Sequence, residues 1–316
     1  MWNSIQIWVS HHPWIAPFLH PRALLFTALF IMNVLFVIGW VRAVRRGVTV
    51  PQWPRLGDLV IGFITEFLDA LGIGSFAPTT ALFKLRGSPR DELIPGTLNV
   101  GHNLGAIVET VVFVTAVQVD PILLIATIGS ATLGAWLGAG VVSRLPRRGI
   151  QLVMGAALLI AATIFVMANV GAFPAGGVAM DLSGWKFYFA VVVSCGLGAL
   201  MSVGIGIYAP QMIMLSLLGL NPLGAFPIMM GSCGLLQPAA SLRFFKTGRF
   251  DFGASLGLTL GGVPGVLIAV FIVKSLPLDV LRWLVAGVVL YAALSMLRSA
   301  RHEGRQLGSV LPRQSP

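Results

Sequence analysis

The chain has few charged residues. Asp, Glu, Lys and Arg together make up 10% of its 316 residues, whereas apolar residues make up 56%. A soluble globular protein carries about 25% charged residues, which it needs to cover its surface. The shortage excludes a soluble enzyme and a disordered chain. It predicts an all-α integral membrane protein in contact with the lipid bilayer.

Cysteine and acidic residues are scarce as well. The two cysteines, Cys195 and Cys233, both lie in apolar segments, so they predict packing residues rather than a disulfide framework or a metal site. Lys and Arg outnumber Asp and Glu by 21 to 11. The basic residues lie in short clusters between apolar runs and match no nucleic-acid-binding motif, so nucleic acid is not an expected partner. No nucleotide-binding loop occurs either, and we expect no cofactor and no metal ion.

Long apolar runs are abundant. Most have about twenty residues or more and lack the alternating pattern of an outer-membrane barrel, so each predicts a membrane helix. The runs are Ala23–Val41, Asp58–Leu85, Leu93–Val119, Ile122–Val142, Ile150–Val170, Phe187–Leu218, Leu223–Leu242, Phe252–Val273 and Val280–Leu297.

Two of these runs are interrupted by the same motif. Residues 71–78 and 203–210 each contain G-I-G followed, two residues later, by A-P, and the motifs are 132 residues apart. A repeated landmark at one spacing predicts two homologous halves. The resulting units are residues 1–56 (an N-terminal span and basic loop), 57–170 (repeat 1), 171–185 (an external linker), 186–298 (repeat 2) and 299–316 (a basic tail).

The basic clusters predict the topology, because Lys and Arg mark cytoplasmic connections. Connections 42–55, 84–92, 144–148 and 243–249 and the C-terminal tail are basic, whereas those near Asp120, at 171–186 and at 219–222 are not. This pattern requires each interrupted run to enter and leave on one side. We expect an inverted-repeat helical bundle in which each repeat is a broken re-entrant hairpin plus three spans, with one extra N-terminal span, an external N-terminus and a cytoplasmic C-terminus. Alternatively, each hairpin is two complete short spans.

A helix that restarts at membrane depth presents its free N–H groups at the break. The glycines allow backbone shapes that other residues rarely adopt, and Pro78 and Pro210 suit the first turn of the restarting helix. Each N-terminus carries about half a positive charge. Two such ends near the bilayer midplane form an anion site of the kind found in inverted-repeat transporters. Close helix packing is the simpler explanation of the same residues.

Polar residues around the breaks complete the predicted site. Asn99, His102 and Asn103 share a helix face, and Glu109 lies two turns further along the same side. Glu66 and Asp69 are candidates for proton coupling, or they pair with Lys84, Arg86 or His102, or lie near the water boundary. The predicted substrate-binding residues are Gly72, Gly74, Ser75, Thr79, Asn99, His102, Asn103, Gly204, Gly206, Tyr208, Gln211, Ser232 and Gln237.

The two halves, each opening with an L-G-I-G-type break, resemble the TauE/SafE sulfite exporter family over about residues 57–297. The resemblance implies a permease of the bacterial inner membrane for sulfite, sulfonates or related organic anions. The family often has a run of three glycines where this chain has Gly74-Ser75-Phe76 and Gly206-Ile207-Tyr208. Sulfite itself is therefore not singled out among the anions.

We therefore expect a multi-pass secondary transporter, not an enzyme, that carries a small anion such as sulfite, an organosulfonate or a carboxylate by alternating access, with protons as the coupling ion. A homodimer is compatible with such a bundle. An anion channel of the same fold is one alternative, and an intramembrane hydrolase is another. No serine elbow typical of an intramembrane protease is present, since Ser75 and Ser232 lie beside glycines without a neighbouring base.

Overall fold

The computed structural model describes residues 21–172, 177–204 and 206–271, together with eight residues between 290 and 301. These residues form an all-α fold, as the apolar runs predict. The helices are α1 (Pro21–Arg45), α2 (Leu56–Ala70), α3 (Phe76–Arg86), α4 (Ile94–Gly101), α5 (Asn103–Ala116), α6 (Pro121–Val142), α7 (Arg147–Asn169), α8 (Trp185–Met201), α9 (Tyr208–Leu217), α10 (Pro222–Thr247) and α11 (Phe252–Phe271).

Within the described ranges, six helical segments are long and apolar enough to cross a membrane, which confirms a multi-pass membrane protein. They are Arg22–Arg45, Asp91–Ala116, Pro121–Val142, Arg147–Ile164, Pro222–Thr247 and Phe252–Phe271. Each coincides with one of the seven predicted full spans. The seventh, Val280–Leu297, falls largely outside the described residues, as do the N-terminus and most of the basic tail. The division of the chain into repeats and linkers stays a prediction.

Both interrupted runs are broken where the sequence predicts. Gly72 and Gly74 separate α2 from α3 with φ angles of +81° and +94°, and Gly204 and Gly206 lie between α8 and α9 with φ angles of +107° and +76°. Side chains disfavour these left-handed angles, so glycine is required for this geometry. The breaks are therefore built into the backbone.

Each pair of helices around a break folds back on itself. Asp58 at the start of α2 forms an ion pair with Arg86 at the end of α3. In the second pair, Lys186 in the first turn of α8 donates to the carbonyl of Leu218, just after α9, at 2.8 Å. The α2–α3 hairpin and the α8–α9 hairpin thus each begin and end at one end of the bundle.

The connections separate into two groups at opposite ends. The basic connections 42–55, 84–92, 144–148 and 243–249 meet at what we call the basic end. Three contacts join them: Val48 with Gly248, Arg249 with the carbonyl of Leu145, and Arg147 with Glu92. The poorly charged connections meet at the opposite end through three backbone bonds: Asp120 to Met180, Asn221 to Ala179 and Gly177 to Leu220. The α2–α3 hairpin opens at the basic end, and the α8–α9 hairpin opens at the opposite end.

Glycines bring pairs of helices into backbone contact. A Cβ atom on Gly134 of α6 would overlap the carbonyl oxygen of Cys195 in α8, and one on Gly261 of α11 would overlap that of Leu59 in α2. α2 therefore packs closely along α11, and α8 along α6. α10 lies at the centre of the bundle, because 89% of its most apolar stretch is buried and it contacts α1, α5 and α6. This packing holds the two hairpins in place around α10 and α5.

Candidate functional site

The tips of the two hairpins meet inside the bundle. A Cβ atom built on Gly206 would lie 3.8 Å from Cβ of Phe76, the first residue of α3. One built on Gly74 would lie 4.0 Å from Cδ2 of Tyr208, the first residue of α9. The hairpins enter from opposite ends, so the N-termini of α3 and α9 come together where the two breaks meet. The sequence predicts this meeting.

Three acidic side chains lie at this meeting point. Glu66 and Asp69 project from α2 and Glu109 from α5, and they offer carboxylate oxygens that all lie within 4.8 Å of one another. We call these three residues the carboxyl cluster. All three are buried, with 0–2% of their surface exposed. Three negative charges at this spacing repel one another strongly in a buried site. Most of this negative charge must therefore be neutralised, either by protons on the carboxylates or by a bound cation.

Tyr208 connects the second hairpin to the carboxyl cluster. Its hydroxyl donates to Oε2 of Glu109 at 2.8 Å and lies 3.3 Å from Oδ2 of Asp69. The tyrosine is the first residue of α9, so any movement of the second hairpin changes these two distances. Tyr208 therefore links the second hairpin to the carboxyl cluster.

His102 extends the carboxyl cluster toward α3. Its Nδ1 lies 2.7 Å from Oε1 of Glu66, and its Nε2 lies 2.9 Å from Oγ1 of Thr79. A hydroxyl both donates and accepts, so both neutral tautomers of the imidazole fit this chain. The imidazole therefore joins the carboxyl group of Glu66 to the hydroxyl of Thr79 in one hydrogen-bonded chain.

Two glycines make room for Glu66. A Cβ atom on Gly105 of α5 would overlap Oε2 of the carboxyl group, and one on Gly262 of α11 would lie 2.6 Å from its Cγ. Glu66 is thus enclosed between two helix backbones. Burial of this kind is costly for a carboxylate, and it is typical of functional ionisable groups in membrane helices.

Asp69 occupies a position that the sequence assigns to a solute anion. Its Oδ1 lies 4.0 Å from the position that a Cβ atom on Gly74 would take, two residues before α3 begins. A carboxylate at this position neutralises the positive end of the helix. The N-terminus of α3 therefore already faces an anion of the protein itself whenever Asp69 is ionised.

The alternative partners of the two carboxylates on α2 are resolved by the structure. Lys84 pairs with Asp91 at 2.9 Å, and Arg86 pairs with Asp58, both toward the basic end. Glu66 is the one that pairs with His102. Glu66 and Asp69 lie in the interior and not at the water boundary.

Several predicted polar residues point elsewhere. Asn103 donates to Oδ1 of Asn33 on α1 at 2.8 Å, so it joins two helices. Asn99 donates to the carbonyl of Pro95 at 2.8 Å, and Gln211 donates to Ser194 of α8 at 3.3 Å. These three amides do not contact the carboxyl cluster through the hydrogen bonds that the described residues make.

The remaining predicted residues line the surrounding interior. Gly72 lies against the ring of Phe226, and Gly204 lies near Leu98. Ser232 and Gln237 are buried on α10. Their oxygens belong to a set of buried polar atoms that have no hydrogen-bond partner among the described residues: Oε2 of Glu66, Oγ1 of Thr80, Oδ1 of Asn99, Oε1 of Glu109, Oε1 of Gln211, Oγ of Ser232 and Oε1 of Gln237. Unpaired buried oxygens are costly, so these atoms are candidates for binding protons, water or a solute.

Glu109 belongs to the carboxyl cluster, but the sequence predicts this only in part. Its spacing of two turns from His102 predicts that the two residues share a helix face, and it does not indicate that Glu109 lies beside Glu66 and Asp69. The missing signal is tertiary, since its partner Tyr208 lies 99 residues away in the chain. The helix interruption at His102, between α4 and α5, is also absent from the sequence pattern.

The chain from Thr79 through His102 to Glu66 has the order hydroxyl, imidazole, carboxylate that hydrolases use. Each of these side chains is fully buried, with 0% of its surface exposed. Thr79 also lies in the first helical turn of α3, beside the carboxyl cluster.

Comparison of the chain with protein-family models, with curated proteins and with solved structures finds no match.

Proposed function

We propose that the chain is a secondary transporter that moves a small anion across a membrane together with protons. The observation that carries this proposal is the carboxyl cluster at the junction of two oppositely directed broken helices. Buried ionisable groups beside helix breaks are typical of ion and solute pathways in transporters. Catalysis is not part of the proposal.

Reciprocal packing supports an inverted repeat. α3 and α9 begin 132 residues apart, at Phe76 and Tyr208. If α4 and α5 are counted as one segment, the first helix of each half packs along the fourth segment of the other half. These pairs are α2 with α11 and α8 with α6. Two halves related by an axis in the membrane plane produce this exchange, and such an axis allows one site to face either side in turn.

Helix length supports re-entrant hairpins over two complete short spans. α3 has 11 residues and α9 has 10. At about 1.5 Å per residue they are roughly 15–16 Å long, about half of a hydrocarbon core of about 30 Å. Helices of this length reach only the middle of the bilayer, which supports breaks near its midplane.

Competition at the N-terminus of α3 supplies a coupling mechanism. Ionised Asp69 lies beside the helix end and neutralises it, so it excludes a solute anion by repulsion. Protonation removes the charge, and the helix end then becomes available to the solute. The anion and the proton therefore bind together, and Glu66, His102 and Thr79 are placed to exchange the proton.

The chemical class of the solute rests on the resemblance of the two glycine breaks to the TauE/SafE family. Sulfite, an organosulfonate or a small carboxylate fits a site that combines two helix N-termini with hydroxyl groups. The same resemblance implies a bacterial inner membrane. The charge pattern supports a cytoplasmic basic end, with the C-terminus inside and the N-terminus outside.

A ligand screen tests the proposed solute class. We expect one of sulfite, sulfate, organosulfonates or small carboxylates to raise the melting temperature of the purified protein, because a ligand at 100 times its Kd stabilises by about 2.7 kcal/mol. His102→Ala should remove the shift, since it interrupts the chain beside the helix end.

Gln118→Ala, an exposed polar change at the opposite end, serves as the matched control and should keep the shift. A screen in which no anion stabilises the protein would show that the anion assignment is wrong. A hit that survives His102→Ala would move the binding site away from the carboxyl cluster.

A further inference from the structure

A second cluster of polar groups lies at the basic end, outside the carboxyl cluster. A groove of about 330 Å³ runs between the ends of α1 and α10 and reaches α6. Four cationic side chains line it: Arg42, Arg46, Arg243 and Lys246. Within the part of the chain that the structure describes, no carboxylate lies within ion-pair distance of these four groups. Four unpaired positive charges facing one groove attract an anion.

Arg243 is fixed in this groove by its neighbours. Its guanidinium carbon lies 3.6 Å from the centre of the Trp136 ring, a cation–π contact with α6. Its Nε is buried and has no hydrogen-bond partner among the residues that the structure describes. A Cβ atom at Gly140 would lie 3.6 Å from this Nε, so the glycine leaves space beside it. A buried, unpaired guanidinium donor in an open groove is the mark of a site that a ligand completes.

The groove has an apolar wall that continues away from the charges. Leu35 and Ile38 on α1 and Trp136 on α6 line it with 43%, 39% and 39% of their surface exposed. Only 17% of the most apolar stretch of α1 is buried, so this helix lies at the edge of the bundle, in contact with lipid. A phosphate group at the four cations would leave an attached hydrocarbon chain against Leu35 and Ile38. A free inorganic anion would leave this wall unused.

We propose that this groove binds the phosphate headgroup of an anionic phospholipid, with the acyl chain along α1. The cations lie at the ends of membrane helices, the depth at which lipid phosphates are found, and tryptophan is enriched at that depth. Basic pockets between helices on the cytoplasmic side bind anionic headgroups in this way. The lipid joins α1, which lies outside both repeats, to α10 at the centre of the bundle.

Binding of phosphatidylglycerol to the full-length protein tests this site. Native mass spectrometry of the protein in mixed micelles of detergent and phosphatidylglycerol reports the retained lipid and its Kd. We expect Arg42→Gln/Arg46→Gln to weaken retention by roughly thirtyfold, since each removed cation near the membrane surface costs somewhat more than a factor of five. Arg243→Gln should have a similar effect. The double variant changes two exposed side chains, so it keeps the test valid if Arg243→Gln fails to fold.

Arg144→Gln/Arg148→Gln is the matched control, because it removes the same charge from exposed residues at the same end. The control should retain phosphatidylglycerol as the unmodified protein does, and phosphatidylcholine should be retained by neither. Equal loss in the control would show a general surface-charge effect and overturn the site. Equal retention of phosphatidylcholine, or displacement of the lipid by inorganic phosphate alone, would overturn it as well.

Discussion

Replacing Asp69 by asparagine should make anion binding independent of pH. In the unmodified protein, protonation of Asp69 releases the N-terminus of α3, so the anion binds the protonated form. As the pH rises and the proton is lost, Kd should increase by about tenfold per pH unit, the slope for one proton bound with each anion. The amide of Asp69→Asn cannot ionise, so binding at alkaline pH should stay as tight as binding at acidic pH. Titration calorimetry across a pH series measures both slopes.

The same variant should separate exchange from accumulation in vesicles. Proton-driven uptake by Asp69→Asn should fall to the level of protein-free vesicles, because the variant has no proton to release at this position. Exchange of labelled for unlabelled anion should persist. Asp120→Asn is the matched control, since asparagine keeps the helix cap that Asp120 provides to α6 and the residue lies far from the cluster. Unchanged proton-driven uptake in Asp69→Asn would refute the coupling mechanism.

Replacing Gly134 by alanine should cause a large loss of stability. The added methyl group would overlap the backbone carbonyl of Cys195, and a backbone cannot move aside as a flexible side chain does. α6 and α8 must therefore separate, which we expect to cost about 3 kcal/mol or more. Melting of the purified protein, followed by fluorescence or size exclusion, measures the loss.

Gly129→Ala on the same helix provides a control with the opposite sign. Nothing lies within 4 Å of the Cβ position of Gly129, so alanine should stabilise α6 by up to about 1 kcal/mol through its higher helix propensity. Gly198→Ala should resemble Gly134→Ala, because its methyl group would overlap the carbonyl of Ala131 from the other side of the same contact. A Gly134→Ala protein that melts at or above the unmodified protein would contradict the close packing of α6 and α8.

The sequence predicts the helical spans well because hydrocarbon imposes a simple rule on the backbone. Twenty apolar residues in a bilayer satisfy their N–H and C=O groups by forming a helix, so the apolar runs and six helical segments coincide. The sequence also predicts the breaks at Gly72 and Gly204, since glycine and proline act locally on the backbone. The grouping of connections at two ends follows from the placement of Arg and Lys.

The residues that form the site are harder to predict from the sequence, because their positions depend on contacts between distant segments. Asn103 shares a predicted face with His102, yet it bonds to Asn33 on α1. Glu109 joins the carboxyl cluster through Tyr208, a contact that no helical spacing specifies. The helix N-terminus predicted to hold a solute anion lies beside Asp69, because the α2–α3 hairpin brings its own carboxylate close to Gly74. Local patterns identify polar residues in the interior, whereas the tertiary packing decides which of them meet.

A disulfide between the two breaks tests most directly whether the hairpin tips meet. In a chain with Cys195→Ser and Cys233→Ser, we introduce Phe76→Cys and Gly206→Cys, whose Cβ atoms would be separated by 3.8 Å, within the range that a disulfide requires. Because the φ angle of +76° at Gly206 strains any side chain, Gly206→Cys alone is the control that must first fold as the unmodified protein does. We expect the two cysteines to crosslink in most of the folded protein, detected by mass spectrometry of the monomer after proteolysis. Folded monomer in which both cysteines remain free after oxidation would show that the two breaks do not meet.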